Sequence, residues 1–314
     1  MIDFRYHFVS IVSIFLALAV GIVLGAGPLK EDIGNTLTSE VKNLRADKAA
    51  LRTQLDTAGN GIQARDEFTT ASNRTLLAGR LADTTVTVVV LPGADSGLVK
   101  QTTETLTAAG AKIGSQVTVL DAWADPATDK ATFRSTLGQQ LASQVQVPVD
   151  QPDDTVLDLV LAKSVLTKAG AGSNGSTAAL EALRTGELIR YTPDHVTPAS
   201  LAVVVAGPVS GSDAAGRQAR AKALSALAGA LDTAGNGAIL VGSPPVPSAN
   251  ESSVVAASRA DGDQSKELST VDDGELPMGQ ASVVFGLLEQ EAGKVGQFGL
   301  GGDATAAFPQ LATK

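Results

Sequence analysis

The most prominent feature of the chain is an uncharged apolar run from Phe8 to Gly27, which reads FVSIVSIFLALAVGIVLGAG. At about 1.5 Å per helical residue, this run reaches roughly 30 Å, the thickness of the hydrocarbon core of a bilayer. The pattern predicts a transmembrane helix. The alternative is a buried core helix, but such a helix is rarely apolar on every face at the start of a chain.

A cleaved signal peptide would also begin with an apolar run. Its apolar core is typically about 7–15 residues long and ends at an A-x-A-like site. The present run is longer, Gly25-Ala26-Gly27 matches that site poorly, and Pro28 follows directly. We therefore predict an uncleaved anchor over residues 8–28, preceded by a cytoplasmic tail of residues 1–7.

Small residues recur every fourth position within the anchor and therefore share one helical face. They are Ser13, Ala17, Gly21 and Gly25, and the last two form a G-x-x-x-G motif. Small side chains let two helix backbones approach closely, so that van der Waals packing drives association in lipid. This face is a candidate dimer interface, and the alternative is a Gly- and Ala-rich helix without a partner.

A heptad pattern follows the anchor and predicts a coiled-coil stalk over residues 29–80. The d positions are apolar throughout, whereas Lys48 is a charged residue at an a position, where it costs stability but fixes register. The candidate interface residues are Leu37, Val41, Leu44, Lys48, Leu51 and Leu55. The alternative is a single amphipathic helix lying on its own domain. Together with the small-residue face, the heptad favours a parallel homodimer.

Beyond residue 80 the pattern changes to short apolar strands that alternate with helices. TVTVVVL at 85–91 and LAVVVA at 201–206 are typical of buried strands, and each is followed by a turn, a helix and a further strand. This alternation predicts an α/β domain, doubly wound and with a mostly parallel sheet, over residues 81–314.

Several local features qualify this outline. Two prolines within residues 146–154 indicate a sub-boundary of the domain there. The short run Ser269–Val271 is interpreted as an edge strand. Gly59-Asn60-Gly61 either interrupts the stalk or only loosens it, because glycine is a poor helix former.

The flanking charges predict the orientation of the anchor. Arg5, His7 and the N-terminal amine precede it and outweigh Asp3, whereas Lys30 is followed at once by Glu31 and Asp32. The positive-inside rule then places the N-terminus in the cytoplasm and the bulk of the chain outside. We expect the inner membrane, because a lone apolar helix suits it better than an outer membrane of β-barrels.

The composition excludes several classes of function. A net charge of −9 and a pI near 4.8 leave no basic patch for phosphates, so we predict no nucleic-acid partner. The chain has no cysteine. It therefore has no disulfide framework, no thiolate metal site and no cysteine nucleophile.

The candidate catalytic patterns are weak. Residues 170–175 match G-x-G-x-x-G and Asp194 lies about twenty residues on, but the motif follows a predicted helix, whereas a dinucleotide site needs a preceding strand. His195 is the only histidine beyond the anchor, and we interpret it as a surface turn residue. Its sequence context contains no G-x-S-x-G motif for a nucleophilic serine.

Three acidic pairs remain as candidates for acid–base chemistry. A glycosidase needs two carboxylates across a cleft, usually with aromatic platforms, and the chain has one Trp and two Tyr. We interpret these acids as turn and cap residues: Asp153-Asp154, Asp261-x-Asp263 and Asp272-Asp273-Gly-Glu275. We predict that the chain is not an enzyme and has no catalytic, cofactor or resident metal site.

Both ends of the chain resemble one protein family. SIVSIFLALAVGIVLGAGPL at 10–29, ELSTVDD at 267–273, VGQFGLG at 295–301 and the strand at 201–207 resemble the mycobacterial copper transport protein B (MctB) family over nearly the whole chain. The resemblance implies copper efflux or transport across the envelope, with the family described at the outer membrane. Corynebacterial relatives of the SteB type imply instead a non-enzymatic scaffold of cell separation, with a SteA-like membrane partner or a cell-wall hydrolase.

The donor atoms of the chain bear on these two readings. Cu(I) prefers thiolate and thioether ligands, and imidazole suits either oxidation state. The chain offers no cysteine, Met1 and His7 near the cytoplasmic side, and only His195 and Met278 outside. Copper is therefore expected as a transported ion without a visible ligand set, and the scaffold remains the alternative.

Overall fold

Two long helices begin the chain in the computed structural model, which describes residues 4–25, 29–148, 150–168, 176–244 and 250–310. Helix α1 is Phe4–Gly25 and helix α2 is Leu29–Leu76. The chain divides into two compact units, residues 1–65 and residues 66–314. The predicted boundaries near residues 8, 29, 81 and 146–154 stay predictions, as does the coiled coil.

Helix α2 runs without a break through Gly59-Asn60-Gly61. Of the two alternatives, interruption of the helix is therefore excluded. A Cβ added at Gly59 would meet nothing within 4 Å, and one at Gly61 would meet only Arg65 Nη2, at 3.9 Å. Because no neighbour requires glycine at either position, the two residues only weaken the helix, by about 1 kcal/mol each relative to alanine.

The remaining described elements are strands and helices in mixed order, in places with three of one kind in succession. The strands are β1 (Thr85–Val90), β2 (Lys112–Val119), β3 (Ile189–Thr192), β4 (Leu201–Val205), β5 (Pro208–Ser210), β6 (Ala238–Val241), β7 (Glu251–Ser253), β8 (Ser269–Val271) and β9 (Gln297–Phe298). The helices are α3 (Ser96–Ala108), α4 (Thr128–Ala142), α5 (Asp153–Val165), α6 (Thr177–Thr185), α7 (Ala214–Ala234), α8 (Val254–Ala260) and α9 (Pro277–Glu291).

A seven-stranded sheet organises this second unit, in the order β3-β2-β1-β4-β6-β8-β9. All neighbouring pairs are parallel except β2 with β3, which is antiparallel. The predicted α/β class with a mostly parallel sheet is confirmed. The interpretation of Ser269–Val271 as an edge strand is wrong, because β8 pairs with β6 on one side and β9 on the other.

The central strands β4 and β6 are apolar throughout because both of their faces are covered. In β4, Val203 and Val205 belong to a core cluster with residues of α3 and α9, whereas Ala202 and Val204 belong to a second cluster with α5, α6 and α7. The same alternation occurs in β1 and β6. Burial on both faces explains why these strands read as continuous apolar runs rather than alternating ones.

The glycines of α2 give a direct test of its continuity. Replacing Gly59 and Gly61 by alanine together should stabilise the middle of α2 by about 1–2 kcal/mol, because helical propensity improves at two positions without a steric cost. Amide hydrogen exchange in residues 55–65 should slow by roughly 5- to 30-fold. The reverse control, Ala64→Gly, should speed exchange there, and unchanged exchange in the double variant would contradict the continuous helix.

Candidate functional site

The four small residues predicted as a membrane interface all lie on α1. At the two glycines of this face, Gly21 and Gly25, an added Cβ would meet nothing within 4 Å. The Ser13 hydroxyl donates to the Val9 carbonyl oxygen, at 2.9 Å, so its polar group is satisfied within its own helix. The large apolar side chains of α1 are exposed in the single chain. This helix is long and apolar enough to cross a membrane.

The predicted stalk residues are likewise on the surface. Leu44 is 68% exposed and Leu55 is 70% exposed, although leucine is among the residues most often buried. The remaining candidate positions, Leu37, Val41, Lys48 and Leu51, are also exposed. A helix that leaves a periodic apolar row uncovered in one chain presents a surface that a partner helix can bury.

The donor atoms for copper are dispersed. His195 is exposed in the connection between β3 and β4, and Met278 is half-buried in the first turn of α9. Within the part of the chain that the structure describes, no group of three His, Cys, Asp or Glu side chains is close enough to hold a metal ion. Met1 lies outside the described residues.

The acidic pairs have different roles. Asp261 accepts from the backbone N–H groups of Asp263 and Gln264, at 3.2 and 3.1 Å, as a turn residue does, and these two bonds lower its pKa. Asp273 begins a turn, since its carbonyl oxygen accepts from the Leu276 N–H at 2.9 Å, and both Asp272 and Asp273 are buried. The G-x-G-x-x-G match at 170–175 lies outside the described residues.

Asp272 forms a buried ion pair with Arg259. Arg259 Nη1 lies 2.5 Å from Asp272 Oδ2 and 2.9 Å from Asp303 Oδ1. The same guanidinium donates from Nε to Thr270 Oγ1, at 2.8 Å, and from Nη2 to the Phe298 carbonyl oxygen, at 2.7 Å. Its side chain is only 4% exposed. Four of its N–H groups are thus directed at the last two strands and the segment after them.

The same carboxylate also fixes the backbone after β9. Asp272 Oδ1 accepts from the Leu300 N–H, at 2.8 Å, and both of its oxygens accept from the Gly301 N–H. Gly299 has φ +129°, and a Cβ there would lie 2.1 Å from Asp272 Oδ1. The two closing motifs of the chain, ELSTVDD at 267–273 and VGQFGLG at 295–301, therefore meet at the carboxylate of Asp272. Only glycine fits at position 299.

Asp273 is fully buried, and neither of its carboxylate oxygens has a hydrogen-bond partner. Burial, together with the neighbouring charge of Asp272, raises its pKa to about 6. Because the folded-state pKa exceeds the unfolded one, the stability contributed by this group is greatest below about pH 4 and is lost as the pH rises through about 6.

A small cavity lies where the order of the parallel strands reverses, between β1 and β4. Ligands of open α/β sheets commonly bind at this position. The loops that follow β1 and β4 are in contact at this position, since a Cβ at Gly207 would lie 1.8 Å from the Gly93 carbonyl oxygen. The remaining cavity of about 280 Å³ has Asp121 and Arg220 in its walls, and Arg220 Nη2 donates to the Ser210 carbonyl oxygen, at 2.6 Å.

Comparison with known proteins gives one consistent result. A family model described as "Copper transport outer membrane protein, MctB" matches residues 1–309. The copper transporter MctB of Mycobacterium tuberculosis strain H37Rv is 28% identical over 310 residues, which cover 96% of this chain and 97% of the relative. The protein of the same name from Mycobacterium leprae is 28% identical over 317 residues, which cover 98% of each chain.

The buried ion pair should be essential to the stability of the second unit. Arg259→Met removes the cation and leaves Asp272 charged in a buried site, so we expect unfolding to become easier by about 3–5 kcal/mol. The matched control is Lys266→Met. Lys266 Nζ lies 3.6 Å from Asp263 Oδ1, and both side chains are exposed, so the loss of this pair should cost under about 1 kcal/mol. Denaturant unfolding of the full chain in detergent measures both, and equal effects would contradict the assigned role.

Proposed function

The chain belongs to the MctB family, and on that premise we propose that it is a single-pass cell-envelope protein that takes part in copper export. The observation that carries this proposal is the match over almost the whole chain, residues 1–309. The relatives covered from end to end are named copper transporters. No comparison names a protein of cell separation, so we do not pursue the scaffold as a second function.

The proposed anchor is α1, inserted in the inner membrane with the N-terminus in the cytoplasm. A single α-helix satisfies its backbone hydrogen bonds internally and is therefore stable in hydrocarbon. At about 1.5 Å per residue, the 22 residues of α1 span roughly 33 Å, enough to cross the bilayer. Arg5 and His7 at its start support the orientation. The family description names the outer membrane, so this placement is specific to our proposal.

We infer that the active form is a parallel homodimer or a higher assembly of such dimers. The small residues of α1 would form the contact in the membrane, with Gly21 and Gly25 at its centre. The exposed leucines at 37, 44 and 51 would continue the contact along α2. Two chains that enter the membrane in the same direction have parallel helices. In that arrangement the small residues of α1 and the leucines of α2 can each face the same residues of the second chain.

Copper would then pass through an assembly rather than rest in a tight site of one chain. The sequence contains no cysteine and two methionines, which is a poor supply of soft ligands for Cu(I). A single apolar helix cannot enclose a pore, so a path through the membrane requires several copies of α1. This part of the proposal therefore depends on self-association.

We also infer that the second unit is doubly wound. Support comes from β1, β4 and β6, whose alternate side chains enter two separate cores on opposite faces of the sheet.

Self-association can be tested by substitutions in both rows. Gly21→Leu with Gly25→Leu, combined with Leu44→Asp and Leu51→Asp, should reduce chemical crosslinking in membranes at least fivefold. The first pair blocks close approach of the helices, and the second places charges in the apolar contact. The control combines Ala19→Leu and Val23→Leu with Asn43→Asp and Ala50→Asp, which make similar changes on other faces. Crosslinking that survives in the first variant would contradict the dimer.

Transport can be tested with the purified full chain in phospholipid vesicles. Copper entry, followed with a chelating dye inside the vesicles, should be several-fold faster than in protein-free vesicles. The variant Gly21→Leu/Gly25→Leu should lose this flux, because it blocks assembly, whereas Ala19→Leu/Val23→Leu should retain it. Vesicles that contain correctly oriented protein and show no copper flux would contradict the transport proposal.

A further inference from the structure

A cavity of about 720 Å³ lies among α4, α5 and α7, in a part of the second unit that the copper proposal does not use. We call it the α4–α5–α7 cleft. Helix α5 packs against both α4 and α7, so it forms the middle of the cleft. The volume is within the range of roughly 300–1,000 Å³ that small-molecule sites occupy.

The floor of the cleft holds a buried carboxyl group. Asp158 on α5 is only 6% exposed, and its Oδ1 accepts from Trp123 Nε1, at 2.9 Å. Its neighbours along the helix, Leu157 and Val160, belong to the hydrophobic core. A carboxylate in such surroundings is costly unless it carries a proton or meets a cation. Burial raises the pKa of Asp158 to about 7, although the Trp123 hydrogen bond opposes the shift.

The walls carry charges of both signs. Arg134 reaches the cleft from α4, and Lys222 reaches it from α7. Arg134 Nη1 donates to the Ala122 carbonyl oxygen, at 2.9 Å, which uses one of its five N–H donors and fixes the guanidinium in place. Asp153 and Asp154, in the first turn of α5, add two carboxylates at the rim.

The rest of the wall consists mostly of small side chains, alanines and hydroxyl residues, which leave room for a ligand. Ala131 on α4 and Ala219, Ala223 and Ala226 on α7 line it. Trp123 adds the only indole of the chain. Aromatic faces and carboxylates are the groups that commonly recognise an ammonium ion, and a guanidinium is the group that best fits a carboxylate.

We propose that the α4–α5–α7 cleft binds a zwitterionic small molecule, an amino acid or a dipeptide with a free ammonium and a free carboxylate. The ammonium lies towards Asp158 and Asp154, and the carboxylate lies towards Arg134 and Lys222. The apolar part of the ligand contacts the alanines and Trp123. Tight binding needs both charges of the ligand, because the cleft offers a side chain of opposite charge to each.

The experiment uses the fluorescence of Trp123, the single tryptophan of the chain, in the purified full-length protein in detergent. Leucine and alanyl-alanine are the zwitterionic probes. N-acetyl-alanyl-alanine and alanyl-alanine amide each lack one charge. We expect a saturable fluorescence change with at least one zwitterionic probe, and binding at least tenfold weaker for both blocked dipeptides.

Variants separate this site from non-specific binding. Asp158→Asn and Arg134→Gln should each weaken binding at least tenfold, whereas the exposed pair outside the cleft, Asp129→Asn and Lys130→Gln, should leave it unchanged. Circular dichroism checks that each variant is folded, and if Asp158→Asn does not fold, Arg134→Gln carries the test. No saturable signal with either probe, by fluorescence and by calorimetry, would overturn the proposal, and so would equal binding of free and blocked dipeptides.

Discussion

The constraint on which the rest of the molecule depends is the exposed apolar surface of α1. Fourteen large hydrophobic side chains of this helix are exposed in the single chain. Each that leaves water contributes about 1.5–3 kcal/mol, so their transfer to lipid is favoured by roughly 20–40 kcal/mol. That exceeds the folding stability of a typical domain, about 5–15 kcal/mol. This large apolar surface is the physical reason for the proposed role of α1 as a membrane anchor.

The α/β domain satisfies a different requirement, the covering of a sheet on both faces. Its central strands supply side chains to two cores, and the last strands add polar contacts to the apolar packing of Val271 and Phe298. Arg259 and Asp272 supply the charged ones among these polar contacts, with Asp303 at the surface. Because a buried ion pair is costly to leave half-complete, each of the two closing motifs stabilises the other.

The sequence predicted the elements whose signal is local. β1, β4 and the long helix α7 were visible because burial on two faces or helical spacing leaves a pattern within a few residues. The short strands β5, β7 and β9 were missed, since two or three residues carry no period. The helix α8 was missed because its seven residues make only about two turns. Arg259 could not be found either, as its partners are 11 to 44 positions away and nothing in the neighbouring sequence marks them. The cleft residues likewise converge only through packing of α4, α5 and α7.

The most direct test of the central claim, copper export, is cell-associated copper in a strain that lacks the gene. Cells are grown with added copper beside a strain complemented with the full-length chain. If the chain exports copper, the metal should accumulate in the deletion strain and return to the parental level on complementation. Copper that stays at the parental level in the deletion strain, above all in cells that fail to separate, would contradict it.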